Sequence, residues 1–483
     1  MKSSNPIWWI DAYKIDHRRM YPSGTEFVYS NFTPRYSLID GVTEVTFFGL
    51  QAFLKKMRDS FDEWFKLPES VAVEEYSERC ASILGPNNVG VEHIRDLHRL
   101  GFLPLEFKSL PEGTRVPLKV PMFTVENTDP RFFWLTNYIE SALSAEIWKA
   151  STSATLAARY RSLCLLHARK TNPEAIGFVD WQCHDFSFRG MDGVESASRS
   201  GAGHLLSFNG SDTIPAIDWV REHYGMSPTL GSVAATEHSV MCAGGKESES
   251  ETFARLLDLY PSGILSVVSD TWDLWSVLTK ILPEHKSKIM GRDGKLVIRP
   301  DSGNPVDILC GDESAEDGTP ARKGVIELLW DEFGGTVSSA GFKCLDQHIG
   351  AIYGDSITYE RAGQIFDRLE KKGFASTNVV LGIGSFTYQY NTRDTFGFAM
   401  KATWAQINGE GINLFKDPVT DKGGKRSATG RLAVLRKKNG GPLVLVESAT
   451  ESDERFSQLQ TVFRNGIINW QSWDSIVNRV RGL

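Results

Sequence analysis

The chain has 483 residues, too many for one ordinary small domain, so two or more substructures are expected. Its 53 basic and 60 acidic side chains give a formal charge of −7, which argues against broad nucleic-acid binding but not against phosphorylated metabolites. No stretch approaches the ~18 apolar residues needed to span a bilayer, so no membrane association is expected. Six scattered cysteines without a CxxC pair favour reduced thiols in the cytoplasm over disulfides or a zinc site.

The predicted elements change in character along the chain. Residues 46–66 have helical apolar spacing, residues 101–126 alternate as strands do, and residues 133–170 predict a long helix nearly free of Gly and Pro. From about residue 175, short apolar runs alternate with helical patterns, which predicts parallel βα units. Six such units favour a barrel over an open sheet. Residues 400–450 return to strand-like alternation around a basic loop.

The six runs are IGFVDWQCHDFSFRG, TLGSVAATEHSV, GILSVVSDTWD, KLVIRPDSGNP, SSAGFKCLDQHIGAIYGDSI and TNVVLGIGSF. In a barrel, the carboxyl ends of the strands and the loops after them carry the chemistry. Nearly all the conspicuous polar residues of this region stand at those positions.

The segment LVIRPDSGNP is the most informative of the six. Its strand leads into Arg299, whose fork of donors suits phosphate or amide oxygens, and then into Asp301, which can hold Mg²⁺ or ribose hydroxyls. The alternative is a structural turn in which Asp301 or Ser302 caps the next helix. The pattern alone leaves both interpretations open.

Two further strands end in small residues. Gly354 and Asp355 follow one of them, and Gly384 and Ser385 follow the other, so backbone amides could surround a phosphate there. GIGSF lacks the third glycine of a dinucleotide-binding motif, and no Walker A motif is present. Each segment by itself fits an ordinary tight βα turn equally well.

His238 follows a strand and is flanked by Glu237. Asp270 stands at the next strand end, so a carboxylate could orient the imidazole and raise its nucleophilicity. A lone histidine is more often structural than catalytic, and the proposal needs the barrel to bring these strands together.

HDFSFRG combines two aromatic side chains with a cation. Phe186 and Phe188 could stack on a flat heterocycle while Arg189 holds an attached phosphate. Core packing by the two phenylalanines, with a surface arginine, is the simpler interpretation of this segment alone.

Taken together and in this order, these segments resemble the nicotinamide phosphoribosyltransferase family of type II phosphoribosyltransferases. The resemblance spans most of residues 6–435 and rests on long motifs. They are DAYKIDHRRMYPSGT, VYSNFTPR, FFGLQ, HDFSFRG, SFNGSDT, SVAATEHS, SVVSDTWD, IRPDSGNP, GDSI, NTRDTFGFAMKATW and GINLFKDPVTDKGGKRSATGR.

The resemblance implies an α/β fold with a distorted βα barrel of the type II phosphoribosyltransferase kind. Residues 151–394 would form this barrel and carry the active site. Residues 1–150 and 395–483 would build a second, mixed α/β domain from both terminal regions. The family also implies a homodimer whose active sites are shared between subunits.

The resemblance further implies the reaction of nicotinamide with phosphoribosyl pyrophosphate, for NAD salvage. Nicotinamide would stack between Phe186 and Tyr13 of the partner subunit, with Arg299 near its carboxamide. Asp212 would accept from the carboxamide N–H, and nicotinate, whose carboxylate repels Asp212, would be disfavoured.

The remaining family roles are assigned by position. Ribose and 5′-phosphate contacts would involve Asp301, Gly354, Asp355, Gly384 and Ser385, with Arg189, Ser232 and Ser266 also among the substrate-binding residues. Pyrophosphate or nucleotide phosphates would meet Arg35, Arg393, Lys401, Lys416 and Lys422 or Lys425. Mg²⁺ would assist, and ATP would be a co-substrate that phosphorylates His238, with Glu237 and Asp270 as hydrogen-bonding partners of the histidine.

Two alternative functions accompany this interpretation. A nicotinate phosphoribosyltransferase of the same fold is the nearest, and Asp212 weighs against it. A catalytically inactive binding or signalling protein would be favoured by loss of His238, Arg299 or Asp301, all of which are present. The sequence departs from the family where Ser385 replaces an expected glycine, which bears on phosphate affinity more than on reaction type.

Overall fold

The computed structural model describes residues 5–354, 357–416, 427–438 and 440–483. The chain divides into two compact units. The first unit contains Met1–Thr155, Trp219–Ser227 and Asn391–Leu483, and the second contains Leu156–Asp218 and Pro228–Tyr390.

The strands of the described residues form two seven-stranded sheets and three two-stranded ones. Those up to residue 299 are β1 (Thr25–Thr33), β2 (Glu44–Thr46), β3 (Leu105–Ser109), β4 (Arg115–Pro117), β5 (Phe123–Asn127), β6 (Cys183–Asp185), β7 (Gly210–Ser211), β8 (Ala234–Ala235), β9 (Ser262–Val268) and β10 (Asp293–Arg299). The later ones are β11 (Gly335–Val337), β12 (Lys343–Leu345), β13 (Ile349–Tyr353), β14 (Val379–Ile383), β15 (Ala399–Ile407), β16 (Glu410–Asn413), β17 (Ala433–Arg436), β18 (Leu443–Val446), β19 (Gln460–Arg464) and β20 (Ile467–Ile468).

The α-helices alternate with these strands in the second unit and flank the sheet in the first. The earlier ones are α1 (His17–Met20), α2 (Leu50–Phe65), α3 (Glu69–Leu84), α4 (Glu92–Leu100), α5 (Leu135–Tyr138), α6 (Glu140–Thr171), α7 (Val194–Leu205), α8 (Pro215–Tyr224), α9 (His238–Gly244) and α10 (Glu249–Leu259). The later ones are α11 (Leu274–Ser276), α12 (Leu282–Glu284), α13 (Lys286–Met290), α14 (Pro305–Cys310), α15 (Pro320–Lys323), α16 (Val325–Phe333), α17 (Tyr359–Lys371), α18 (Ser385–Tyr388), α19 (Glu451–Arg455) and α20 (Trp473–Arg481). Within the described ranges, no helix is both long enough and apolar enough to cross a membrane.

The second unit is built on a parallel sheet that curls back on itself. Its strand order is β7-β6-β14-β13-β10-β9-β8. The segment just before β8 returns to the far edge, where Ser211 N–H donates to Gly231 O at 3.1 Å and Gly231 N–H donates to Asn209 O at 2.8 Å. Two backbone hydrogen bonds therefore close the sheet into an irregular barrel.

Apolar strands and amphipathic helices account for this arrangement. All five residues of β13 are buried, as expected of a parallel strand covered on both faces. In α17, Ala362, Ile365, Phe366 and Leu369 recur at helical spacing and are buried, and the side chain of Thr358 caps the first turn by accepting from Arg361 N–H. Helices of this kind cover the outside of the barrel strands.

The first unit contains an antiparallel sheet in the order β16-β15-β1-β5-β3-β19-β20. Its core is aromatic, since the ring of Phe32 stacks on Phe123 at 5.2 Å and on Phe398 at 5.8 Å between centroids. Helix α2 buries an apolar stripe at helical spacing that includes Leu50, Leu54 and Phe61.

The predicted fold class is confirmed. Helix α2 lies within residues 46–66, and α6 occupies the stretch 133–170 from Glu140 onward and ends one residue beyond it. Strands β3, β4 and β5 lie within residues 101–126 except for the last residue of β5, and all six apolar runs contribute a strand to the barrel. One barrel strand was missed in the sequence. Strand β7 is only two residues long, too short to produce an alternating or apolar pattern.

Candidate active site

The carboxyl ends of the barrel strands open into one cleft of about 230 Å³. Its lining residues are Asp185, Phe186, Phe188, Arg189, Asp212, Thr213, Arg299, Asp301 and Gly354. They stand at or just after the ends of β6, β7, β10 and β13, because parallel strands bring their carboxyl ends to the same rim. Because an aromatic ring and several polar groups converge on it, this cleft is the candidate active site.

Phe186 and Arg299 present a ring and a cation side by side. The guanidinium carbon of Arg299 lies 5.7 Å from the centroid of the Phe186 ring. Arg299 Nε is buried and has no hydrogen-bond partner among the described residues, so a donor beside the ring remains unused. An aromatic face next to an unused donor suits a flat heterocycle that carries an acceptor.

Asp212 follows β7 and lines the same cleft. Its Oδ1 accepts hydrogen bonds from Ser232 Oγ at 2.5 Å and from His184 Nε2 at 3.0 Å. Burial acts to raise the pKa of Asp212, but these hydrogen bonds and the positive charge of Arg299 outweigh it and hold the pKa below its ordinary value. The side chain therefore carries a negative charge at neutral pH.

Asp270 supports the loop that carries Asp301. Its Oδ2 accepts from the backbone N–H of Asp301 at 2.9 Å and from Ser302 Oγ at 2.6 Å. The side chain of Asp301 lines the cleft. Asp270 is thus tied to the turn after β10, and its Oδ1 is buried without a partner in the described structure.

His238 is the first residue of α9, and its side chain is about half exposed, with a relative accessibility of 49%. Its Nδ1 lies 3.1 Å from Thr271 Oγ1, and its Nε2 lies 4.0 Å from Asp301 Oδ2. The expected hydrogen bonds of the imidazole with Glu237 and Asp270 are not among the contacts of the described residues, and the functional roles of these two carboxylates stay predictions. Glu237 accepts from Ser239 Oγ instead, and the turn after β10 occupies Asp270 Oδ2, so Thr271 takes the place next to the imidazole.

The other predicted substrate-binding residues of the second unit also stand at the carboxyl ends of strands or, in one case, inside a strand. Arg189 and Gly354 line the cleft. Ser266 lies within β9, buried, with a hydroxyl that has no partner among the residues described. Gly384 and Ser385 begin α18, where the Ser385 side chain packs against Gly190. Asp355 lies outside the described residues.

Comparison with known proteins shows the family to which this chain belongs. Residues 181–467 match the model of the nicotinate phosphoribosyltransferase (NAPRTase) family, and residues 5–61 match the N-terminal domain of nicotinamide phosphoribosyltransferase. The nicotinamide phosphoribosyltransferase of Acinetobacter baylyi is 52% identical over 96% of this chain and 94% of its own. That of Mycoplasma pneumoniae is 36% identical over 87% of this chain and 94% of its own.

The chain belongs to the nicotinate and nicotinamide phosphoribosyltransferase family. It is a phosphoribosyltransferase, an enzyme of the pentosyltransferase class. Two solved structures share the fold of this phosphoribosyltransferase. The nicotinate-nucleotide pyrophosphorylase of Pyrococcus furiosus has a TM-score of 0.60 at 14% identity, covering 100% of this chain and 96% of its own. The human nicotinic acid phosphoribosyltransferase has a TM-score of 0.52 at 15% identity, covering 98% of this chain and 92% of its own.

The predicted phosphate ligands of this phosphoribosyltransferase belong to the first unit. Burial lowers the pKa of Lys401; Glu140 acts to raise it, and the positive charges of Arg35, Lys416 and Arg393 lower it further. Three further cations of the first unit therefore act on Lys401, as expected near an anion site. Lys422 and Lys425 lie outside the described residues. Tyr13, in the same unit, is 63% exposed.

His184 was overlooked in the sequence, although it holds Asp212. It stands two residues before Phe186, and the period of a strand places residues i and i+2 on one face. Once Phe186 is a candidate, that spacing is the signal that would have pointed to His184. Thr271 and Thr213 gave no such signal, because their roles depend on neighbouring strands.

We expect the substitution Gly382→Ala to reduce activity, because the added methyl group would displace both the Phe186 ring and the end of β13. A methyl group there would lie 2.7 Å from Phe186 Cδ2 and 2.7 Å from Gly354 Cα, so the ring must move. The rate of pyrophosphate release from phosphoribosyl pyrophosphate with a pyridine base should fall about tenfold or more. The control Gly363→Ala, where a methyl group meets nothing within 4 Å, should keep the rate. An unchanged rate in Gly382→Ala would contradict the importance of the ring position.

Proposed function

We propose that the protein makes nicotinamide mononucleotide and pyrophosphate from nicotinamide and phosphoribosyl pyrophosphate, in NAD salvage. The observation that carries this proposal is the ionised Asp212 in one cleft with Phe186 and Arg299. The names of the most similar relatives support the same substrate. A nicotinate phosphoribosyltransferase is the alternative, and the substrate test below distinguishes the two.

The charges of the cleft favour a neutral base. Arg299 and Asp212 already offset one another, so a carboxamide can donate its N–H to Asp212 and accept from Arg299 at once. A carboxylate would satisfy only Arg299 and would meet Asp212 as a like charge. At contact distance near a protein surface, such a repulsion is on the order of 4 kcal/mol, large enough to decide between the two bases.

The transfer itself exchanges one bond at the ribose for another. The ring nitrogen of nicotinamide forms a bond to C1 of the ribose as the bond from C1 to pyrophosphate breaks, and the leaving group takes the electron pair. Stacking on Phe186 positions the attacking ring. Asp301, held by Asp270 at its backbone N–H, is placed to bind ribose hydroxyls or a metal ion.

Mg²⁺ is expected to neutralise the leaving pyrophosphate when bound. No three His, Cys, Asp or Glu side chains come together as a metal site in the part of the chain that is described. Asp301 lines the cleft and is the carboxylate that would help to hold such an ion beside the substrate.

ATP hydrolysis through a phosphohistidine would stimulate the reaction. His238 Nε2 would bond to the γ-phosphorus as the bond to the ADP oxygen breaks, and water would later cleave the N–P bond. If Nδ1–H donates to Thr271 Oγ1, Nε2 keeps the lone pair that this attack needs. His238 Nε2 lies 4.0 Å from Asp301 Oδ2, and this short distance to the residue proposed to bind ribose or metal supports a link between the phosphohistidine and the substrate site.

A homodimer with shared active sites and a cytoplasmic location complete the proposal. The ring of Tyr13 is 63% exposed, which leaves it available to a base in a neighbouring subunit. All six cysteines are free, as expected in a reducing compartment.

We expect the wild-type protein to use nicotinamide far better than nicotinate. Replacing the charge with a neutral group in Asp212→Asn should lower the ratio of kcat/KM for the two bases by about 100-fold to 1,000-fold, since a charge-assisted hydrogen bond and a repulsion are both lost. Product formation from each base with Mg²⁺ measures this. The control Asp346→Asn removes a carboxylate that accepts from His348 at 2.6 Å, away from the cleft, and should keep the wild-type ratio. Product from nicotinate alone in the wild type would favour the alternative.

We expect His238→Ala to abolish ATP hydrolysis and the stimulation by ATP, while basal synthesis of the mononucleotide continues. The reason is that the phosphate acceptor is lost and the base-binding side chains remain. Acid-labile ³²P on the wild-type protein and its absence from the variant provide the measurement. ATP stimulation that persists in His238→Ala would contradict the phosphohistidine.

Shared active sites predict complementation between two inactive variants. In heterodimers of Tyr13→Ala and Asp301→Ala, selected by two different tags, one of the two composite sites is intact, so about half of the wild-type activity should return. If each site used residues of one subunit only, every site would be defective and no activity would return.

A further inference from the structure

The carboxylate of Asp212 is held from both sides by the neighbours of its own strand. It follows β7, which pairs with β6 on one side and with Gly231 on the other. His184 belongs to β6, and Ser232 comes directly after Gly231. Each neighbour therefore contributes one donor, and both hydrogen bonds go to Oδ1.

His184 is itself fixed in place. Its side chain is only 12% exposed, and its ring centroid lies 4.7 Å from that of Phe186. On the other side, the backbone of β7 approaches so closely that a methyl group at Gly210 would lie 2.8 Å from His184 Nδ1. Since an ionised carboxylate can only accept, Nε2 must carry the hydrogen of the bond to Asp212. The imidazole is thus a rigid donor rather than a mobile one.

This arrangement separates the two oxygens of Asp212. Oδ1 takes both donors, and none of the hydrogen bonds among the described residues uses Oδ2. Oδ2 is therefore the oxygen available to a bound base. A carboxylate anchored by one oxygen cannot rotate to meet a poorly fitting ligand, and this improves its discrimination between ligands.

We propose that His184 and Ser232 are positioning residues that anchor Asp212 through Oδ1 and thereby set the preference for nicotinamide over nicotinate and the pH range over which it holds. This inference rests on the proposed function, because it names the device behind the same base selection. Neither residue is required to touch the reacting atoms.

The charged groups around Asp212 explain the dependence on pH. They are His184 on β6, Arg299 on β10, Asp301 after β10, Arg189 after β6, and Asp185, whose backbone oxygen accepts from Asp212 N–H at 3.0 Å. Burial by itself raises the pKa of Asp212, and the hydrogen bonds from His184 and Ser232 are what reverse it. A protonated Asp212 is neutral and no longer repels nicotinate. Selectivity is therefore present above the pKa of Asp212 and lost as the pH falls through it, and removal of a donor moves that loss to higher pH.

The test compares kcat/KM for nicotinamide and for nicotinate from about pH 8 down to about pH 3.5, because the pKa of Asp212 lies below its ordinary value. We expect Ser232→Ala and His184→Ala each to lower the selectivity ratio about tenfold. Each substitution should raise the KM for nicotinamide and leave the KM for phosphoribosyl pyrophosphate unchanged. As the pH falls, each variant should lose its selectivity at a higher pH than the wild type does. His184→Gln, whose amide can replace the Nε2 donor, should recover most of the ratio.

The control is His348→Gln. His348 donates to Asp346 at 2.6 Å and is 20% exposed, but it precedes β13 at the amino-terminal end of the sheet. It should keep the wild-type ratio and pH profile.

The outcomes separate this inference from the function on which it rests. If Ser232→Ala and His184→Ala keep the wild-type ratio at every pH while using nicotinamide, the anchoring role is wrong and the proposed function stands. If the wild type makes no product from nicotinamide, both fail. Should His184→Ala not fold, Ser232→Ala decides alone, because Ser232 is exposed and its replacement leaves the core intact.

Discussion

The common direction of seven strands is the constraint on which the site depends. Because the barrel strands are parallel, Phe186, Asp212, Arg299 and Gly354 all stand where their strands end, at one rim. Residues more than 100 positions apart in the chain thereby line one cleft, because non-local strand pairing brings the ends of their segments to the same rim. The apolar core of this unit lies in the barrel below that rim, where β13 is wholly buried. The loops above the rim can therefore hold charged side chains.

Electrostatics at the rim is a balance between burial and directed hydrogen bonds. Burial raises the pKa of Asp212, but two hydrogen-bond donors and one nearby cation lower it below its ordinary value. The cations of the first unit show the opposite case. Burial and the positive charges of Arg35, Lys416 and Arg393 lower the pKa of Lys401 and favour its neutral form. The cleft therefore stabilises the negative charge of Asp212. Around Lys401, a bound anion would reduce the repulsion between the cations. A base with a carboxamide and a diphosphate are the two kinds of ligand that these fields suit.

Close backbone approach provides the remaining precision. Gly382 lets the ring of Phe186 lie against β14, and the β7 backbone at Gly210 packs on the imidazole of His184. The hydrogen bond from Asp301 N–H to Asp270 fixes the turn after β10 in the same way. These contacts stabilise the shape of the cleft before any ligand arrives, so less ordering is left to do on binding.

The sequence by itself determined the six apolar runs of the barrel, the helices α2 and α6, and the identity of Phe186, Asp212, Arg299 and Asp301 as candidates. Periodicity and long motifs are local properties, and these elements are long enough to display them. The tertiary structure alone decided which neighbour holds which side chain. Strand β7 is too short for a pattern, yet its pairing with β6 and with Gly231 places His184 and Ser232 on one oxygen of Asp212. Because β10 pairs with β9, Asp270 accepts a hydrogen bond from the turn that contains Asp301. Thr271, rather than Asp270, then lies beside His238. Partners of this kind depend on strand order and register, which non-local hydrogen bonds set and no single segment of the chain contains.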